Sequence, residues 1–122
     1  MATSIIQGFT LAVTNITEMV LFYSNVFHLH FDEKEMYGTK MYAALWGELN
    51  VLFCPAEIAK NTAIQNRHQF DIFVSNLDDC ITLAKKYGGE LIGETVEDDK
   101  VRSIGIYDPD HNSMVIKQLK LV

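Results

Sequence analysis

Phe9 to Tyr23 reads FTLAVTNITEMVLFY, and Phe70 to Ala84 reads FDIFVSNLDDCITLA. The two stretches start 61 residues apart, half the length of the 122-residue chain. Phe9, Leu11, Val13, Asn15 and Ile16 reappear as Phe70, Ile72, Val74, Asn76 and Leu77. Each copy begins with alternating apolar positions, the mark of a strand with one buried face. Each continues with Asn, an aliphatic residue and an acidic turn, after which the apolar spacing becomes helical. One strand–helix unit is used twice, and a fold of two related halves builds its cleft where they meet.

The rest of the chain falls into place around these copies. Residues 5–14 read as the first strand, and Thr17 as the cap of a helix carrying Val20, Tyr23 and Phe27 on one face. His28–Glu35, Thr39–Trp46 and Leu49–Cys54 read as three more strands, with turns at Gly38 and Gly47-Glu48 and a stop at Pro55. Residues 56–67, AEIAKNTAIQNR, are polar and read as a linker with one helical turn. The pattern then restarts. Gln69–Ser75 is a strand, and Asn76 or Asp78 caps a helix that runs through Tyr87 and ends at Gly88-Gly89. Glu90–Val96, Val101–Tyr107 and Ser113–Leu119 are the closing strands, the last preceded by the turn Asp108-Pro109-Asp110-His111-Asn112. The class is α+β. Two tandem βαβββ modules, about 5–55 and about 68–119, make one domain over 1–122.

Sixteen acidic against ten basic residues give a net charge of −6. A surface of that sign repels a phosphate backbone, which argues against nucleic acid as a partner, and mildly favours cationic ligands. Two cysteines do not make a disulfide framework, so the composition points to a reducing cytoplasm. The start MATSIIQGF lacks the basic and apolar regions of a secretory signal, and no apolar run is long enough to span a membrane.

Val13, Asn15, Ile16 and Phe22-Tyr23, with the Asp108–Asn112 turn, resemble the vicinal oxygen chelate superfamily. That superfamily includes glyoxalase I, bleomycin-resistance proteins and extradiol dioxygenases. The resemblance runs along nearly the whole chain, with Asn for the usual Asp at position 15 and His111 for the usual Gly. It implies a cupped mixed β-sheet with outer helices and a cleft between modules. Chains of this length in the family are commonly homodimers, so a homodimer is expected. Metal-binding members carry ligands on the first and fourth strands of each module. Those positions fall here at Gly8, Gln69, Asn50 or Leu52, and Val115. Gly8 and Val115 offer no donor atom, so the resemblance implies no three- or four-ligand centre and no cofactor. A shift of register would bring in His68.

Alternation places Gln69, Asp71 and Phe73 on the side of the fifth strand away from Phe70, Ile72 and Val74, and that side is expected to face the cleft. Ser113, Val115 and Lys117 share it on the last strand. Asp71 and Lys117 can therefore pair, either as a partly solvated ion pair or as a polar anchor or acid/base group. Tyr42 and Trp46 share one face of the third strand and are expected to line the cleft, where the indole could stack on a planar ligand. Tyr107 lies near the rim. His28 and His30 share a strand face without a third ligand at a recognisable spacing. His111 takes a turn position with positive φ. Cys54 and Cys80 read as buried small hydrophobes. The expected function is metal-free binding of a small molecule, with Tyr42, Trp46, Asn50, Gln69, Asp71, Phe73 and Lys117 as ligand-binding residues. The alternatives are a metal-dependent lyase or isomerase of the glyoxalase kind, or a metal-independent acid/base enzyme using Asp71.

Overall fold

The structure is a computed structural model that describes residues 6–64, 66 and 68–120. The expected strand start at residue 5 lies outside them. The first half contains β1 (Gly8–Val13), α1 (Ile16–Val26), β2 (Asp32–Met36), β3 (Thr39–Trp46) and β4 (Leu49–Pro55). A single turn, α2 (Ala56–Ala59), opens the linker. The second half repeats the order with β5 (Phe70–Phe73), α3 (Leu77–Lys86), β6 (Glu90–Glu97), β7 (Val101–Tyr107) and β8 (Ser113–Leu119). Each half makes a four-stranded sheet, ordered β1-β4-β3-β2 and β5-β8-β7-β6. In both sheets the first and fourth strands pair in parallel and the remaining neighbours are antiparallel.

The repeated Asn is the repeated helix cap. Asn15 Oδ1 accepts from the Glu18 backbone N–H at 3.2 Å, and Asn76 Oδ1 accepts from that of Asp79 at 3.1 Å. Each bond satisfies one of the donors left free in a helix's first turn. Thr17, expected as the first cap, lies inside α1 instead. The expected second strand also starts late. His28 has φ +59 and closes α1, where the Leu29 N–H reaches the Tyr23 carbonyl at 3.4 Å. Pairing begins only at Asp32. His28 and His30 are exposed, while Leu29 is buried.

The helix-packed faces of both sheets share one core. Val51 and Phe53 enter it from the first sheet, and Ile106, Met114 and Ile116 from the second. Phe22 of α1 and Leu77 of α3 are fully enclosed there. Phe22 reaches so far into the second half that a Cβ at Gly89 would stand 2.7 Å from its ring. Glycine at 89 is a packing requirement, since that contact is shorter than side chains tolerate. The Asp108–Asn112 turn fastens the halves together. Tyr23 donates to Asp108 at 2.9 Å. Thr14 donates through its backbone N–H at 2.8 Å and its hydroxyl at 2.6 Å to the two oxygens of Asp110. Among the described residues, no helix is long and apolar enough to cross a membrane.

Candidate functional site, an aromatic cavity between the modules

β1 and β5 are the edge strands of two separate sheets, and side chains rather than strand pairing make the seam between them. The Phe9 and Phe70 rings touch there with centroids 5.0 Å apart. Behind the seam lies a cavity of about 580 Å³. That volume falls within the range of pockets that hold drug-sized molecules. Tyr23, Trp46 and Phe53 line one side, and Ile72 and Met114 line the other. Asn61, Asn66 and His68 bring the linker to its wall, and Thr14, Asp110 and Asn112 bring the inter-module latch.

Local structure fixes each of these groups. Trp46 ends β3, and its ring lies edge-on to Tyr23 at 5.9 Å and tilted against Phe27 at 5.1 Å. Tyr23 also meets Phe53 edge-on at 5.3 Å. Aromatic rings prefer these tilted arrangements, so the indole has a defined seat. Asn66 holds the linker to β8 by accepting from the Ser113 backbone N–H at 3.0 Å and donating to the Ser113 carbonyl at 3.0 Å.

Asp108 is 1% exposed, yet its carboxylate is well satisfied. It accepts from the backbone N–H groups of Asp110 at 2.8 Å and Asn112 at 2.9 Å, from the Asn112 amide at 2.9 Å and from Tyr23. Burial pushes its pKa above the ordinary value, and the hydrogen bonds from Asn112, Tyr23 and Asp110 oppose that rise. Burial and the neighbouring Asp108 charge raise the Tyr23 phenol well above its usual range. Tyr23 therefore presents a neutral ring to the cavity at physiological pH, with its proton committed to Asp108.

Of the seven ligand residues expected from sequence, Trp46 lines this cavity. Tyr42 shares its strand face but sits farther along β3, where its hydroxyl donates to Glu33 at 3.1 Å. Gln69, Asp71 and Phe73 project to the opposite face from Phe70 and Ile72, and the latter two line the cavity. The reason is parity: adjacent strand residues point to opposite faces, and the space between modules opens on the helix-packed side. Asp71 and Lys117 pair at 3.4 Å on the open face, with side chains 58% and 30% exposed. Gln69 donates to Ser113 Oγ at 3.0 Å. Asn50 is exposed beside Gly8. Phe9, Phe70, Asp110 and Asn112 line the cavity although none is among the seven, and the equal placement of Phe9 and Phe70 in the two copies is the signal in the sequence that points to the seam.

A resident metal does not fit the positions the family resemblance supplies. A Cβ at Gly8 would lie 2.1 Å from the Asn50 carbonyl oxygen, so no ligand side chain fits in that register. Val115 carries no donor. Among the described residues, no three His, Cys, Asp or Glu side chains gather as a metal-holding group. His68 lies at the cavity wall without such companions.

No protein-family model matches the sequence, and no curated protein matches it. Solved structures do match along almost the full length. A glyoxalase/bleomycin resistance protein/dioxygenase family enzyme from Burkholderia phytofirmans superposes with a TM-score of 0.76 at 18% identity, covering 96% of this chain and 100% of that one. A fosfomycin resistance protein from Listeria monocytogenes gives 0.75 at 18% identity, covering 98% and 97%. An antibiotic-binding protein from a Streptomyces species gives 0.71 at 14% identity, covering 98% and 99%. The chain has the two-module fold of the vicinal oxygen chelate superfamily.

Proposed function

We propose that this protein binds a small organic molecule in the cavity behind the Phe9–Phe70 seam, without a metal ion. The observation that carries the reading is the cavity itself: about 580 Å³, with Trp46, Tyr23 and Phe53 gathered on one wall. Aromatic walls favour a planar ligand, which can stack or pack edge-on against them. The rim supplies a few polar groups to orient it, with Asn112 as donor or acceptor and Asp110 as acceptor. The fold likeness to an antibiotic-binding protein and to a fosfomycin resistance protein supports a small-molecule ligand.

Trp46 is the single tryptophan, so its fluorescence reports on the cavity wall directly. A planar aromatic probe at 100 times its Kd is expected to add roughly 2.7 kcal/mol of stability while changing the Trp46 emission. Binding should survive prior treatment with a chelator. A panel of planar neutral and cationic compounds that moves neither stability nor fluorescence would overturn the reading. So would stoichiometric metal that survives purification and is lost in Gln69→Ala or His68→Ala.

Homodimerisation and a cytoplasmic location belong to the same proposal. Leu45, Phe73 and Val96 are more than half exposed on the strands, which gives a second copy apolar surface to cover. Cys54 and Cys80 are buried free thiols, in keeping with a reducing compartment. Light scattering on the purified chain tests the dimer.

A further inference from the structure

A second cavity, of about 250 Å³, lies where the end of α1 meets the start of α3. Phe27 and His28 line it from the first module, and Phe73, Asn76, Asp79 and Leu83 from the second, so Phe73, expected from sequence to bind a ligand, borders this cavity and not the large one. Trp46 and Ile72 line both this cavity and the large one. These two side chains are thus a partition, with the indole on one side and a single aliphatic group on the other.

The charges on the two sides agree. Among the described residues lining either cavity, the carboxylates are Asp110 in the large one and Asp79 in the small one, and there is no Lys or Arg. The nearby Arg102 is paired with Asp78 at 3.2 Å. Asp79 lines the small cavity at the positive end of α3, so an anionic group entering there meets a carboxylate already in place. A cationic group meets complementary charge in both places.

We propose that the two cavities are compartments of one site and that it takes an elongated aromatic amine. The ring system occupies the large compartment, and the amine tail passes Trp46 and Ile72 to reach Asp79. This rests on the reading of the large cavity as the ligand site. It adds the second compartment, the class of ligand and a role for the partition in selecting tail length.

Calorimetric titration with matched naphthalene probes tests it. One carries an aminomethyl group, one a six-carbon chain ending in an amine, and one the same chain ending in a carboxylate. Asp79→Asn is expected to weaken the long amine about threefold, as for a partly solvated charge pair, and to leave the short amine unchanged. Ile72→Val thins the partition and is expected to raise the affinity of the long amine relative to the short one. Both variants should first show unfolding midpoints close to that of the parent protein. If Asp79→Asn leaves the long amine unaffected, or if the long carboxylate binds as tightly as the long amine, the two-compartment proposal fails while the large cavity stands. If the short amine does not bind at all, the large cavity is itself misread and both proposals fall.

Discussion

The Tyr23 hydroxyl donates to Asp108 Oδ2 at 2.9 Å, joining residues 85 apart in the chain. The bond ties the first helix to the last turn and is buried at both ends. Tyr23→Phe removes the donor and leaves Asp108 with its three remaining partners from Asp110 and Asn112. The expected loss is about 1–2 kcal/mol, the cost of one charge-assisted bond at a site that keeps most of its satisfaction. A lower denaturant midpoint with an unchanged slope would confirm it.

Asp108 also sets a pH dependence. Its folded pKa lies above its ordinary value of 3.8 because burial disfavours the charged form. Such a group contributes stability that is fully present below the unfolded pKa and lost as pH rises through the folded one. The stability of the parent protein relative to Asp108→Asn should therefore fall as pH is raised from about 4 toward neutrality. Denaturation at a series of pH values, with both proteins in the same buffers, measures the difference. A parent protein that gained stability relative to Asp108→Asn as pH rose would overturn this prediction.

His111 stands in the left-handed region at φ +65, with its ring 5.7 Å from that of Tyr107. Left-handed backbone costs a side chain on the order of 1 kcal/mol that glycine does not incur. His111→Gly gives up the ring contact and adds chain entropy to the unfolded state, so the expected gain is small, below about 1 kcal/mol. Thermal and denaturant unfolding should both move upward.

Phe70 and Asp71 are neighbours with opposite consequences. Phe70→Ala removes a ring from the cavity seam and is expected to weaken binding of a planar probe about tenfold, the loss of one stacking or edge contact with its buried area. Asp71→Ala breaks an exposed ion pair with Lys117, and at 58% exposure its stability effect should stay below about 1 kcal/mol, with binding unchanged. Equal effects of the two substitutions on binding would show that the ligand uses the open face instead.

The sequence carried the strand and helix order because those signals are local. Asn15 and Asn76, Gly88-Gly89 and the Asp108–Asn112 turn each act within a few residues of where they stand. His28–Phe31 misled because an alternating apolar pattern also suits a loop that drops Leu29 into the core while His28 turns back at positive φ. The pairing of Asp71 with Lys117 followed from strand adjacency alone. The cavity was harder to foresee. Alternation separates Phe70 from Asp71, but which face borders the space between modules depends on how the two sheets pack. That packing is set by contacts such as Tyr23 with Asp108 and Phe22 with Gly89, which no local pattern encodes.

Every substitution at Gly8 places a Cβ where the Asn50 carbonyl oxygen stands, 2.1 Å away. A mutation there parts β1 from β4 before it can offer a new functional group. A mutational path from this sequence toward a chelating one cannot begin at Gly8; β4 has to shift first. The equivalent position in the second copy, Gln69, is exposed and already holds a long side chain. Two halves that share one architecture have therefore become unequal in what they can evolve, the first held shut by its own backbone and the second still open to change.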